Sequence, residues 1–99
     1  MKRRVYIVNN GGHNYDDAAR FGEIVFCTDS VMRKDDTAQM YRELNNVLRE
    51  SEPHDYILIS SLATLCSIAT GIMAAQHGEV HLLLYKDGQY VERDIIFDN

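Results

Sequence analysis

Two short stretches hold the residues that can do chemistry. One is Asn9-Asn10-Gly11-Gly12-His13-Asn14, the other Ser60-Ser61-Leu62-Ala63-Thr64. Glycine lets a ligand approach the backbone closely, and Asn, Ser and Thr side chains add short uncharged hydrogen bonds. Each stretch leads into a segment that reads as the start of a helix. Free N–H groups and the helix dipole there favour an anion such as phosphate or carboxylate. Asn9, Asn10, Gly11, Gly12, His13, Asn14, Ser60, Ser61 and Thr64 are therefore the candidate ligand-binding residues. Taken singly, the glycines also fit a tight turn and either serine a helix N-cap. Neither a GxGxxG nor a GxxxxGK[ST] run is present.

His13 is the candidate general acid or base, with Asp16 and Asp17 as candidate catalytic carboxylates beside it. A carboxylate in reach would hold the imidazole tautomer and tune its pKa. The plainer reading is a solvated loop histidine. These three residues match no metal-ligand spacing, so neither a metal nor a cofactor is expected. His54 follows the only proline, His77 suits a helix C-terminus, and His81 alternates outward on a strand. Cys66 near a helix start reads as core packing before nucleophile. Tyr15 fits a ring-stacking ligand or plain packing equally well. Asp29 and Ser30 stand where an acidic side chain meets a ribose in dinucleotide binders.

The elements that must position these residues follow from hydrophobic period. Residues 5–8, 23–28, 56–59, 80–85 and 89–97 read as strands. Residues 14–21 read as a short helix capped by Asn14 and stopped by Gly22. Residues 35–51 are amphipathic, with Met40, Leu44, Val47 and Leu48 on one stripe beside Ala38 and Tyr41, and Asp35 or Asp36 as cap. Residues 29–34 form a polar loop, and Asp87-Gly88 a hairpin turn. Residues 60–77 contain no Asp, Glu, Lys or Arg, so this helix has no charged face to show to water.

The pattern is β-α-β-α-β-α-β-β. It predicts an α/β fold: one three-layer Rossmann-like domain over residues 1–99, with a mainly parallel five-stranded sheet in the order 2-1-3-4-5 and an antiparallel edge strand. In that order the first helix stands alone on one face, which is thinly covered. The two candidate stretches flank the switch point between the first and third strands, where open α/β sheets hold ligands.

Composition narrows the classes. The chain has 99 residues, is 45% apolar and 25% charged, and carries a net charge of −5. An acidic surface disfavours nucleic acid, since phosphate neutralisation drives that binding. No charge-free stretch makes a good membrane helix, and the basic start lacks a signal-peptide core. Cys27 and Cys66 sit in apolar surroundings outside any CxxC pair, which suggests reduced thiols and a cytoplasmic location. The charge-free helix and the thin face both predict a homo-oligomer, through residues 62–77 or through that face.

The strings VYIVNNGGHNYDDAARFGEIVF and DYILISSLATLCSIA resemble small α/β proteins carried by bacteriophages. In architecture the chain is similar to Rossmann-like families that handle nucleotides and their sugar derivatives, including the nucleoside deoxyribosyltransferase-like group. Those transferases use an interior glutamate, and this chain has no acidic residue near the start of its third helix. The reading expected is a homo-oligomer that binds a nucleotide-like or phosphorylated small molecule. The viral resemblance implies host cytoplasm and sequestration of a host nucleotide signal. Two alternatives stand beside it: an interaction protein that inhibits a host protein, and a hydrolase or transferase of a nucleotide derivative using His13.

Overall fold

The computed structural model describes residues 2–28 and 35–98. Five strands form one sheet in the order β2-β1-β3-β4-β5. They are β1 (Arg4–Ile7), β2 (Glu23–Phe26), β3 (Tyr56–Leu58), β4 (Glu79–Lys86) and β5 (Gln89–Ile96). The first four pair in parallel, and β5 runs antiparallel to β4. Strand order and edge orientation are those the sequence predicts. The hairpin turns through Asp87 at φ +52° and Gly88 at φ +84°. Two consecutive positive angles match the right-handed twist of the flanking strands.

Two α-helices follow, α1 (Thr37–Leu48) and α2 (Ala63–His77). Asp36, not Asp35, caps α1: its carboxylate accepts from the Gln39 N–H at 3.1 Å. Met40, Leu44 and Leu48 are buried as expected, while Ala38 and Tyr41 stay exposed. Gly78 at φ +75° ends α2 in the left-handed conformation that suits glycine. The first expected helix is shorter than predicted, a single 3-10 segment over Asp16–Arg20. Its bonds are local, from the Ala18 N–H to the Tyr15 carbonyl and from the Phe21 N–H to the Ala18 carbonyl. So few residues leave no room for a run of i→i−4 bonds.

Alternation along the strands divides the core. Tyr6, Val8, Ile57 and Val80 cluster with Met40, Leu44, Leu48, Leu65, Ala69 and Met73 of α1 and α2. Val5, Ile7, Tyr56, Leu58 and Leu83 form a second cluster with Tyr15, Ala18 and Tyr90. The 3-10 segment is helped on that side by β5, whose Tyr90 carbonyl accepts from Arg20 Nη2 at 3.0 Å. Val5, Ile7 and Leu58 are thereby as deeply buried as the residues under the helices.

At the amino ends of the strands, Asp55 fastens β1 to the connection before β3. Its Oδ1 accepts from the Arg4 N–H at 2.9 Å and its Oδ2 from the Glu52 N–H at 2.8 Å. Gly22 lets β2 start: a Cβ there would lie 2.5 Å from the Arg3 carbonyl oxygen.

Candidate functional site

Ile7 and Leu58 are Cα partners at the carboxyl ends of β1 and β3. The chain therefore leaves both central strands side by side, at Val8 and Ile59. This register brings the two chemistry-bearing stretches to one end of the sheet.

Thr28 anchors the first corner. Its hydroxyl donates to the Val8 carbonyl at 2.8 Å and accepts from Asn9 Nδ2 at 2.7 Å. The Asn10 N–H donates to the Thr28 carbonyl at 2.9 Å. Asn9 thus spends its amide N–H on holding the loop. Gly11, Gly12, His13 and Asn14 are exposed, with Gly12 at φ +87°. The Asn14 Oδ1 accepts from the Asp16 N–H at 2.8 Å, an Asx turn that launches the 3-10 segment. Tyr15 is buried, with ring centroids 6.2 Å from both His13 and Phe26. Of its two expected roles, packing is the one the structure displays.

The second corner precedes α2. The Ser60 Oγ accepts from the Leu62 N–H at 3.4 Å and lies 3.6 Å from Cys66 Sγ. The Ser61 carbonyl accepts from the Ala63 N–H at 3.0 Å. Leu62 occupies the N-cap position, and no side chain caps the helix there. Neither serine is the N-cap that the plainer reading gave it. Ser61 and Thr64 are exposed, and Cys66 is buried. Burial raises the Tyr15 phenol above 10.0, and the nearby Cys66 thiol adds to the rise.

The expected acid–base set is not assembled. His13, Asp16 and Asp17 are all exposed, and among the described residues no hydrogen bond or ion pair joins them. Asp29 and Ser30 lie outside the described residues. His77 Nε2 lies 2.8 Å from Ser51 Oγ, and the His54 carbonyl accepts from Arg3 Nε at 2.7 Å.

His81 corrects the sequence reading most. Rather than facing outward alone, its side chain is 13% exposed and held on both nitrogens: Nδ1 is 2.7 Å from Asp94 Oδ1, and Nε2 is 2.7 Å from Glu79 Oε1. Glu92 Oε2 is 3.9 Å from the same Nδ1, and Glu92 Oε1 accepts from the Tyr56 hydroxyl at 2.9 Å. Burial alone would lower the His81 pKa, but the bonds and charges of Glu79 and Asp94 outweigh it and raise it above 6.5. The bond from His81 in turn lowers the Asp94 carboxyl below 3.8. The hairpin carries the signal that would have found this group. Counting outward from Asp87-Gly88 pairs His81 with Asp94 across the ladder.

Two open grooves flank α2. One, of about 420 Å³, runs between α1 and α2 past Tyr41, Ile68 and Gly71. The other, of about 640 Å³, runs from Ser60 and Cys66 past Ser67 and Gly71 to Phe97. No helix among the described residues is long and apolar enough to cross a membrane.

A family model described as phage Pam3 gp32-like protein matches residues 3–97. No curated protein and no solved structure matches the chain.

Proposed function

The chain belongs to that phage family, and we propose that it is a small homo-oligomeric protein binding a nucleotide-like or phosphorylated small molecule between β1 and β3. The observation that supports the reading is the Ile7–Leu58 register, which starts the connections toward Gly11-Gly12 and toward Ser60-Ser61 from neighbouring strand ends. Gly11, Gly12, His13 and Asn14 would face the ligand from one side, Ser61 and Thr64 from the other, with Asn9, Asn10 and Ser60 holding the loops. The uncapped start of α2 suits the ligand's anionic group. A Rossmann-like, three-layer arrangement agrees with this placement. In a phage protein acting in its host, such a binder would sequester a host nucleotide signal.

Gly71 supports self-association. It sits mid-helix, exposed, and a Cβ there would meet nothing within 4 Å. Alanine would favour the helix by roughly 0.5–1 kcal/mol, so the subunit alone gives no reason for glycine. A second copy pressed onto the uncharged face of α2 supplies one. Both grooves meet at this residue.

Thermal denaturation with nucleotides and sugar phosphates tests the proposal. A ligand at a hundredfold excess over its Kd should raise Tm by roughly 10–20 °C in a domain of this size. An unshifted Tm across the whole panel, with the fold intact, would count against it.

A second reading has its own support. Ile95, Ile96 and Phe97 are 40%, 66% and 50% exposed at the β5 edge, a surface suited to a host protein partner. One stoichiometric partner recovered from host lysate, together with no ligand response, would favour it. The enzymatic reading, with His13 as acid or base, lacks a carboxylate in contact with that ring among the described residues.

A further inference from the structure

At the end of the sheet away from the crevice, we propose that His81, Glu92 and Asp94 form a binding site for one divalent first-row metal ion of the Zn²⁺ or Mn²⁺ class. One ligand atom from each of the three lies within 4.8 Å of the others. The antiparallel ladder fixes them: His81 and Asp94 are direct cross-strand partners, and Glu92 lies two residues from Asp94 on the same face. The donor set is one imidazole nitrogen and two carboxylate oxygens, which suits a borderline-to-hard divalent ion.

Two further features fit a metal. Glu79 holds the other imidazole nitrogen, Nε2, at 2.7 Å. This is the outer-shell carboxylate that fixes the tautomer and ring angle of a metal-bound histidine, leaving Nδ1 for the ion. Carboxylates also outnumber the cationic groups at the cluster. Three carboxylates converge on a single imidazole, while the Arg3 guanidinium stands 4.0 Å from Glu92 and is stacked 4.0 Å over the Tyr56 ring. Tyr56 fixes the Glu92 carboxylate through Oε1, leaving Oε2 turned toward His81. Binding would replace the proton between Nδ1 and Asp94, releasing it to solvent. The imidazole would keep its Nε2 proton on Glu79. The remaining coordination positions would be filled by water.

Calorimetry with Zn²⁺ and electron paramagnetic resonance with Mn²⁺, on the full chain after chelator treatment, test the site. The expected result is one ion per chain, with Glu92→Gln and Asp94→Asn each weakening binding at least tenfold. Glu79→Gln, which touches no ion, should weaken it roughly tenfold. Asp94 is exposed, so Asp94→Asn should keep the fold, as circular dichroism would verify. In the unmutated chain, Zn²⁺ should move the His81 ring resonances before those of His13, His54 and His77. Overturning results are no bound ion, unchanged affinity in folded Asp94→Asn and Glu92→Gln, or another histidine responding first.

Discussion

Ile7 of β1 and Leu58 of β3 are paired as neighbours in a parallel ladder, at 0% and 1% exposure. Both strands end there, and both connections begin beside each other. The chain then turns away in opposite directions, through the Gly11-Gly12 corner toward β2 and through the Ser60-Ser61 corner into α2. A crevice at such a divergence is a property of the topology, and its lining is set by whichever residues stand in the two corners.

If those corners share a ligand, obstructing both should abolish binding and spare the fold. Gly11 has open space, since a Cβ added there would meet only Asn9 Oδ1, at 3.7 Å, and Ser61 is exposed. The double substitution Gly11→Val with Ser61→Trp should therefore leave the denaturation midpoint without ligand within a few degrees of wild type. The ligand-induced rise in Tm should disappear. A full rise in the double variant would place the ligand elsewhere.

Gly22 has a different role. A methyl group there would meet the Arg3 carbonyl oxygen at 2.5 Å, and that oxygen accepts from the Glu23 N–H at 2.9 Å. Gly22→Ala should destabilise the fold by about 1–3 kcal/mol, the range of an overpacked contact that forces backbone to move. Urea denaturation would measure it, and a change under about 0.5 kcal/mol, typical of neutral surface positions, would refute the steric account.

Gly71 predicts opposite effects on subunit and assembly. Gly71→Ala should leave the subunit equally or more stable, because nothing in it opposes a Cβ, and should weaken the proposed assembly. Gly71→Glu places a charge on the uncharged face of α2 and, on the proposed self-association through that face, should leave a folded monomer. Sedimentation equilibrium on both variants distinguishes these effects. Identical assembly of wild type and Gly71→Glu would move the interface off this helix.

Cys27 predicts alkaline instability. Burial pushes its thiol from 9.0 up to about 12. Between those values the unfolded thiol has ionised while the folded one keeps its proton, so the folded state binds the extra proton. Stability contributed by this group is complete below about pH 9 and falls as pH rises, by roughly 3 kcal/mol near pH 11. The raised phenols of Tyr6, Tyr15, Tyr56 and Tyr90 act in the same direction. Urea denaturation at about pH 8 and about pH 11 should show a shallower loss in Cys27→Val than in wild type. Equal losses would remove Cys27 from the account.

Much of this architecture is legible from single residues. Asp87-Gly88 marks the hairpin because only a turn needs two positive angles in succession. The uncharged run after Ser61 marks a helix that is partly buried, on Leu65, Cys66, Ala69, Ile72 and Met73. The 3-10 segment differs from the expected helix because Asn14 and Gly22 are capping residues for either kind of helix, and only the number of turns between them decides. Thr28 and Asp55 carry loop anchors that no local pattern announces, since their partners, Val8, Asn9 and Arg4, lie far away in sequence. His81 reads as an outward residue on alternation alone. Its neighbours emerge only when the register is counted across the turn to Asp94.

The most direct measurement is an amide chemical-shift titration with whichever nucleotide or sugar phosphate raises Tm. The backbone amides of Gly11, Gly12, Ser61 and Thr64 should move together, along one saturation curve, while those lining the groove between α1 and α2 stay still. Shifts confined to that groove or to the β5 edge, with both corners silent at saturation, would contradict the account.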